Sequence, residues 1–299
     1  MNSRQLKGGI FVIAAAIFWA VTGILCQLLT QNNNISPIWM SAMRAFFAGL
    51  ILVAYCAIKD RKRLFSIFKE KDGIIGVIVL TVFGSTTVQL TFMCAVKYSN
   101  AATSTILQYV SPAIVILMMF VVKHQRPAIK EVICTILAIA GVFFIATHGN
   151  VSSLAISVQA LIWGLSSAVE LAFYTIYPTK LIKKYGIYVV SAWSMFLSGC
   201  VLCLVTKPWN CEGTIDAVTI SAMVYMIVFA TVIAFSIYSI GVTYIGETKA
   251  NILATIEPLA AFVLSVVFMH VRFTLYDCVG FVCILMITFL LAKEGKNNE

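Results

Sequence analysis

Long apolar runs broken by short polar links set the plan of this chain. A helix needs roughly 20 mainly apolar residues to cross a bilayer. Ten such runs can be read: 8–30, 36–58, 73–96, 100–122, 130–147, 153–177, 187–206, 218–242, 249–270 and 274–292. They predict an all-α polytopic membrane protein with ten transmembrane helices, the fifth and tenth being short. The first run follows Arg4 and Lys7, as a signal peptide would. It continues past Ala14, Ala15 and Ala16 to Leu29 with no polar cleavage region, so it reads as a retained helix.

The pattern also repeats. Phe92 to Thr147 can be laid on Tyr238 to Lys293 without a gap, at an offset of 146 residues. Val96 then falls on Val242, Tyr98 on Tyr244, Pro112 on Pro258, His124 on His270 and Arg126 on Arg272. The front of each half agrees more loosely, with Trp19 in AIFWAVTG answering Trp163 in ALIWGLSS. This predicts two five-helix repeats, 8–148 and 151–292, with a binding site where they meet.

Charge placement orients the helices. Short cytoplasmic loops carry the excess of Lys and Arg. With the N-terminus inside, Lys97, Lys207 and Arg272 are the only basic residues assigned outside, and Arg44 lies within a span. All other Lys and Arg, out of 21 in total, then face the cytoplasm. The reading is a multi-pass protein of the cell (plasma) membrane with both termini cytoplasmic. Five spans per half make the second repeat inverted relative to the first. The basic link from Asp60 to Asp72, with Leu64, Phe65, Ile67 and Phe68, is read as a short amphipathic piece on the inner leaflet.

Composition agrees and removes other classes. The chain is 61% hydrophobic and 11% charged. Soluble domains are nearer half apolar and a quarter charged. The net charge of +9 sits in short loops, so the partner is the lipid bilayer surface and not nucleic acid. Nine cysteines show no disulfide framework. Cys200 and Cys203 form a C-x-x-C inside an apolar span without a second pair, which argues against a metal or redox role. No Walker loop, H-E-x-x-H or G-x-S-x-G is present, so no enzyme is expected and no cofactor or metal either. Asn150-Val151-Ser152 fits a glycosylation sequon but lies too near the membrane to weigh.

Ionisable residues deep in spans are costly and therefore mark candidate sites. Arg44 lies in SPIWMSAMRAFFAGL, either as a cavity charge for a carboxylate or as an architectural group that pairs with another helix. Glu170 lies in GLSSAVELAFY, and Glu257 immediately precedes Pro258. A carboxyl group among apolar neighbours can carry a proton, which leaves protons open as a coupling ion. A Glu170–Arg44 pair is conceivable. Pro112 and Pro258 predict matched helix breaks that can act as hinges. Gln108 and Asn251 lie beside these breaks, and either line a cavity or join helices through hydrogen bonds. Trp19, Trp163, Tyr109 and Tyr174 lie deep enough to wall a substrate, with ordinary packing as the alternative. His124 and His270 are read as interfacial caps.

Three segments resemble a known family. SPIWMSAMRAFFAG in the second span, LQYVSPAIVIL in the fourth and TIEPLAAFVLSVVF in the ninth are similar to motifs of the EamA group of the drug/metabolite transporter superfamily. The resemblance implies export of small metabolites, often amino acids, through a central cavity between repeats. It places Arg44, Gln108, Tyr109 and Glu257 at that cavity. Gly-Glu is frequent after the fourth and ninth helices in that family, whereas Lys123-His124 and Met269-His270 stand here.

The expected function is a secondary carrier and exporter of a small polar metabolite, an amino acid or a relative, by alternating access. A lipid scramblase, an assembly factor or a channel remain as alternatives, and a homodimer is left open.

Overall fold

The computed structural model describes residues 3–123, 128–150, 153–209, 211 and 213–292. The expectations for His124 and Arg126, and for Val151 and Ser152 of the sequon, lie outside the described residues, as do those for Lys293 and Lys296 in the tail.

The N-terminal half runs through α1 (Ser3–Gln31), α2 (Pro37–Leu64), α3 (Lys71–Leu80), α4 (Thr86–Tyr98), α5 (Ala101–Gln108), α6 (Ser111–Lys123) and α7 (Ile129–Thr147). The C-terminal half runs through α8 (Val158–Ile176), α9 (Thr179–Tyr185), α10 (Ile187–Thr206), α11 (Ala217–Val224), α12 (Ala234–Ile245), α13 (Glu247–Ala254), α14 (Ile256–Met269) and α15 (Leu275–Ala292). Segments of π-helix, Thr81–Ser85 and Tyr225–Ile233, join α3 to α4 and α11 to α12.

Among the described residues, eight helices are long and apolar enough to cross a membrane. The reading of ten spans, with the fifth and tenth short, needs correction at the sixth. The sixth starts at Val158, where the Ser157 hydroxyl accepts the Ala160 N–H, and not near 153. Past Ile176 it bends by 40° into α9, so it counts as a ninth span only as a broken one. The tenth is a shorter apolar helix, Leu275–Leu291. At 1.5 Å per residue α15 reaches about 27 Å, just under the hydrocarbon thickness. Its start is fixed by a capping box. The Thr274 hydroxyl accepts the Asp277 N–H, and the Asp277 carboxylate accepts the Thr274 N–H at 2.8 Å. Asp277 also bonds His148 at 3.0 Å, tying α15 to the left-handed end of α7.

Helices from the two halves pack on one another in a regular scheme. The most extensive contacts are α2 with α10, α7 with α15, α1 with α12, and α4 with α8. The α2–α10 crossing is reciprocal and close. A Cβ on Gly49 would meet the Phe196 backbone, and one on Gly199 would meet the Phe46 backbone. Small residues are what allow such an approach. The basic link after α2 is less free than its pattern suggests. Leu64 and Ile67 are buried, and Trp193 Nε1 donates to the Leu64 carbonyl at 2.9 Å. Only Phe65 keeps a large exposed apolar face there. His270 ends α14 in a left-handed conformation, φ 52°, as a helix cap does.

Candidate functional site

Two helix breaks face each other. The first lies between α5 and α6, at Tyr109 and Val110; the second lies between α13 and α14, at Thr255. Pro112 and Pro258 stand in the first turn of the following half-helix, where a missing N–H is tolerated. Tyr109 and Thr255 are 146 residues apart, so the breaks fall in the register of the sequence repeat. Pro258 cannot supply the N–H that would bond the Ala254 carbonyl four residues back. The Tyr109 hydroxyl takes its place, donating to that oxygen at 2.9 Å. The same hydroxyl lies 3.2 Å from Glu257 Oε2.

Arg44 reaches this region from α2. Its Nε donates to the Thr231 hydroxyl at 2.8 Å, and Thr231 donates in turn to the Met226 carbonyl at 2.7 Å, five residues back. Thr231 lies in the π-helical segment Tyr225–Ile233, where the widened turn sets its hydroxyl against a carbonyl five residues back. Trp19 Nε1 donates to the neighbouring Ala230 carbonyl at 3.0 Å, and its ring lies 5.2 Å from that of Tyr238. The Tyr238 hydroxyl continues the network to Asn251 Oδ1 at 3.1 Å. Arg44 and Glu257 lie close enough to interact as charges, yet they form no ion pair among the described residues. Arg44, Tyr109 and Glu257 are each half-buried.

Trp19, Arg44, Tyr109, Asn251 and Glu257 are therefore linked in one region, although Asn251 is exposed. Other candidates lie apart from that network. Glu170 Oε2 accepts from the Thr87 hydroxyl at 2.6 Å, and it is Thr231, not Glu170, that holds Arg44. The conceivable Glu170–Arg44 pair does not form. Tyr174 packs among Leu80, Val190 and Leu181 in an apolar cluster. Gln108, the last residue of α5, and Trp163 are half-buried, with no side-chain hydrogen bond among the described residues. Cys200 and Cys203 are part-exposed thiols, and no group of metal-ligating side chains gathers among the described residues.

Two surface grooves lie elsewhere. One is apolar, between Trp39, Met43, Phe47 and Met223. The other, of about 350 Å³, lies at the basic end between α3 and α9, beside Asp72, Lys180 and Lys184. Sequence reading missed Thr231, Tyr238 and Thr87. Tyr238 opens the repeated segment, which is a signal of position. Thr231 gains its role from the π-turn, and nothing in its sequence neighbourhood marks that.

The sequence matches the EamA-like transporter family over residues 6–147 and again over 158–293. The chain belongs to the EamA-like transporter family. It is 37% identical to the uncharacterized inner membrane transporter YicL of Salmonella typhimurium, covering 98% of this chain and 97% of that one. It is 23% identical to the uncharacterized transporter YwfM of Bacillus subtilis, covering 98% and 97%. A solved crystal structure aligns over 98% of both chains, with a TM-score of 0.65 at 14% identity, a likeness of fold. As a family member with many apolar helices, this EamA-like chain is a multi-pass membrane transporter.

Proposed function

We propose that this transporter is a secondary carrier for a small zwitterionic or cationic metabolite, an amino acid or a close relative, which it exports by alternating access. The observation that carries the reading is the placement of Arg44 and Glu257. They bring groups of opposite charge from α2 and α14 to one region without forming an ion pair among the described residues. Charges are expensive at this depth. A ligand with a carboxylate and an ammonium group satisfies both, with Arg44 receiving the first and Glu257 the second. Trp19, Tyr109 and Tyr238 supply walls.

Ten spans in two inverted repeats, 8–148 and 151–292, accord with the helix contacts. Exchanging the halves turns the α1–α12 contact into α8–α4 and returns α2–α10 and α7–α15 to themselves. The matched breaks before Pro112 and Pro258 are suited to act as hinges. With both termini cytoplasmic, the Lys-rich links lie on the inner side. Protons are the natural coupling ion, with Glu257 as their carrier.

The test is radiolabel flux in proteoliposomes across amino acids, amines, nucleosides and sugars. Saturable uptake and counterflow of an amino acid or amine is the expected result. Flux no greater than in empty vesicles for every class would overturn the reading.

A further inference from the structure

Tyr109 holds one phenolic proton and faces two acceptors. One is the Ala254 carbonyl, 2.9 Å away, which Pro258 leaves without its helical donor. The other is Glu257 Oε2, 3.2 Å away. A protonated Glu257 can donate to the Tyr109 oxygen while Tyr109 donates onward to Ala254, so every group is satisfied. An ionised Glu257 competes for the same phenolic proton, and a charge-assisted bond is the stronger of the two. The Ala254 carbonyl then loses the hydroxyl that bridges the break.

We propose that Tyr109 is a positioning residue that couples the proton on Glu257 to the α13–α14 break, closing the break when Glu257 is protonated and releasing it when Glu257 is ionised. The inference rests on the reading of Glu257 as the carrier's proton site. The link joins the two broken spans, because Tyr109 caps α5 while Ala254 and Glu257 flank the break after α13. It ties the protonation of Glu257 to the backbone of the helix break. The titratable and charged groups that face Glu257 are Tyr109 from α5, Arg44 from α2 and Tyr238 from α12. From α1, which also packs on α14, Cys26 faces Arg44 instead.

Hydrogen exchange of the 249–258 backbone tests this in the full chain in liposomes, at pH 5.5 and pH 8, with rates corrected for intrinsic exchange. The wild-type segment should exchange several-fold faster at pH 8. Tyr109→Phe keeps the ring and removes the hydroxyl, so it should exchange at the fast level at both values. Glu257→Gln retains a donor toward Tyr109 and should stay at the slow level at both. A wild-type-like pH response in Tyr109→Phe overturns the proposal. Should that variant fail to fold, a pH response persisting in Glu257→Gln does so. Absence of flux in wild-type vesicles, with this exchange pattern intact, would count against the carrier reading alone.

Discussion

Arg44 takes its orientation from a single neutral partner, the Thr231 hydroxyl, and none of its partners among the described residues is a carboxylate. That leaves the Nη N–H groups at the edge of the guanidinium for an anion. Arg44→Lys keeps the charge but loses the fork and the Nε–H. We expect substrate affinity to fall about 10- to 100-fold, the worth of one charged hydrogen bond, with thermal stability little changed. Concentration-dependent flux alongside a melting curve checks it; an unaltered half-saturation constant would make Arg44 architectural. Glu257→Gln keeps the volume and removes the charge. Transport of cationic or zwitterionic substrate should weaken, and its dependence on pH between 5.5 and 8 should flatten, while expression holds. Normal transport across that range would make Glu257 a residue of the helix break, and Glu170 the better candidate. The carboxylates were legible from sequence because charge inside an apolar run stands out. Thr231 and Tyr238 were not, because a hydroxyl in a membrane helix is common. Its partner can lie far along the chain, as Thr231 does from Arg44, 187 residues away.

At the scale of elements, the α2–α10 crossing depends on two glycines that carry no chemistry. Gly199→Leu would drive a side chain into the Phe46 backbone, which cannot yield as a flexible side chain can. Overpacking costs about 1–3 kcal/mol, so a drop of several degrees in melting temperature is expected. Gly9→Ala is the control, since its Cβ would meet only Leu253 Cδ1, at 3.6 Å. The buried thiols of Cys26, Cys56 and Cys94 allow a thiol-reactive dye to follow unfolding. Equal melting temperatures for both variants would mean that the crossing is looser than described. The prolines announced both helix breaks in advance, since a missing N–H is a local fact. The π-helical segments were invisible, because Thr81–Ser85 and Tyr225–Ile233 hold no breaker other than Gly84.

For the whole molecule, the firmest expectation is the orientation in the membrane. A lone cysteine introduced at Lys62, in a background without other cysteines, should resist an impermeant maleimide applied outside intact cells and react after permeabilisation. Lys62 is preferable to Arg63, whose guanidinium donates to the Tyr185 carbonyl at 3.2 Å. Labelling from outside would invert the topology, and with it the assignment of Lys97, Lys207 and Arg272 to the outer face.

The sequence by itself determined what depends on solvent and on local backbone chemistry. Apolar runs placed the helices, because no exposed backbone polar group survives in hydrocarbon without an internal partner. The offset of 146 residues placed the two breaks in register, and the second-, fourth- and ninth-span motifs pointed to the family. Tertiary structure decided which charges meet. Along the chain a Glu170–Arg44 pair was conceivable; packing gave Arg44 to Thr231 and Glu170 to Thr87. It also decided that the sixth span bends and that Tyr109 spans the break beside Pro258. Those outcomes depend on how helices from opposite halves cross, and crossing is set by small residues and widened turns whose effect appears only once the two halves are packed together.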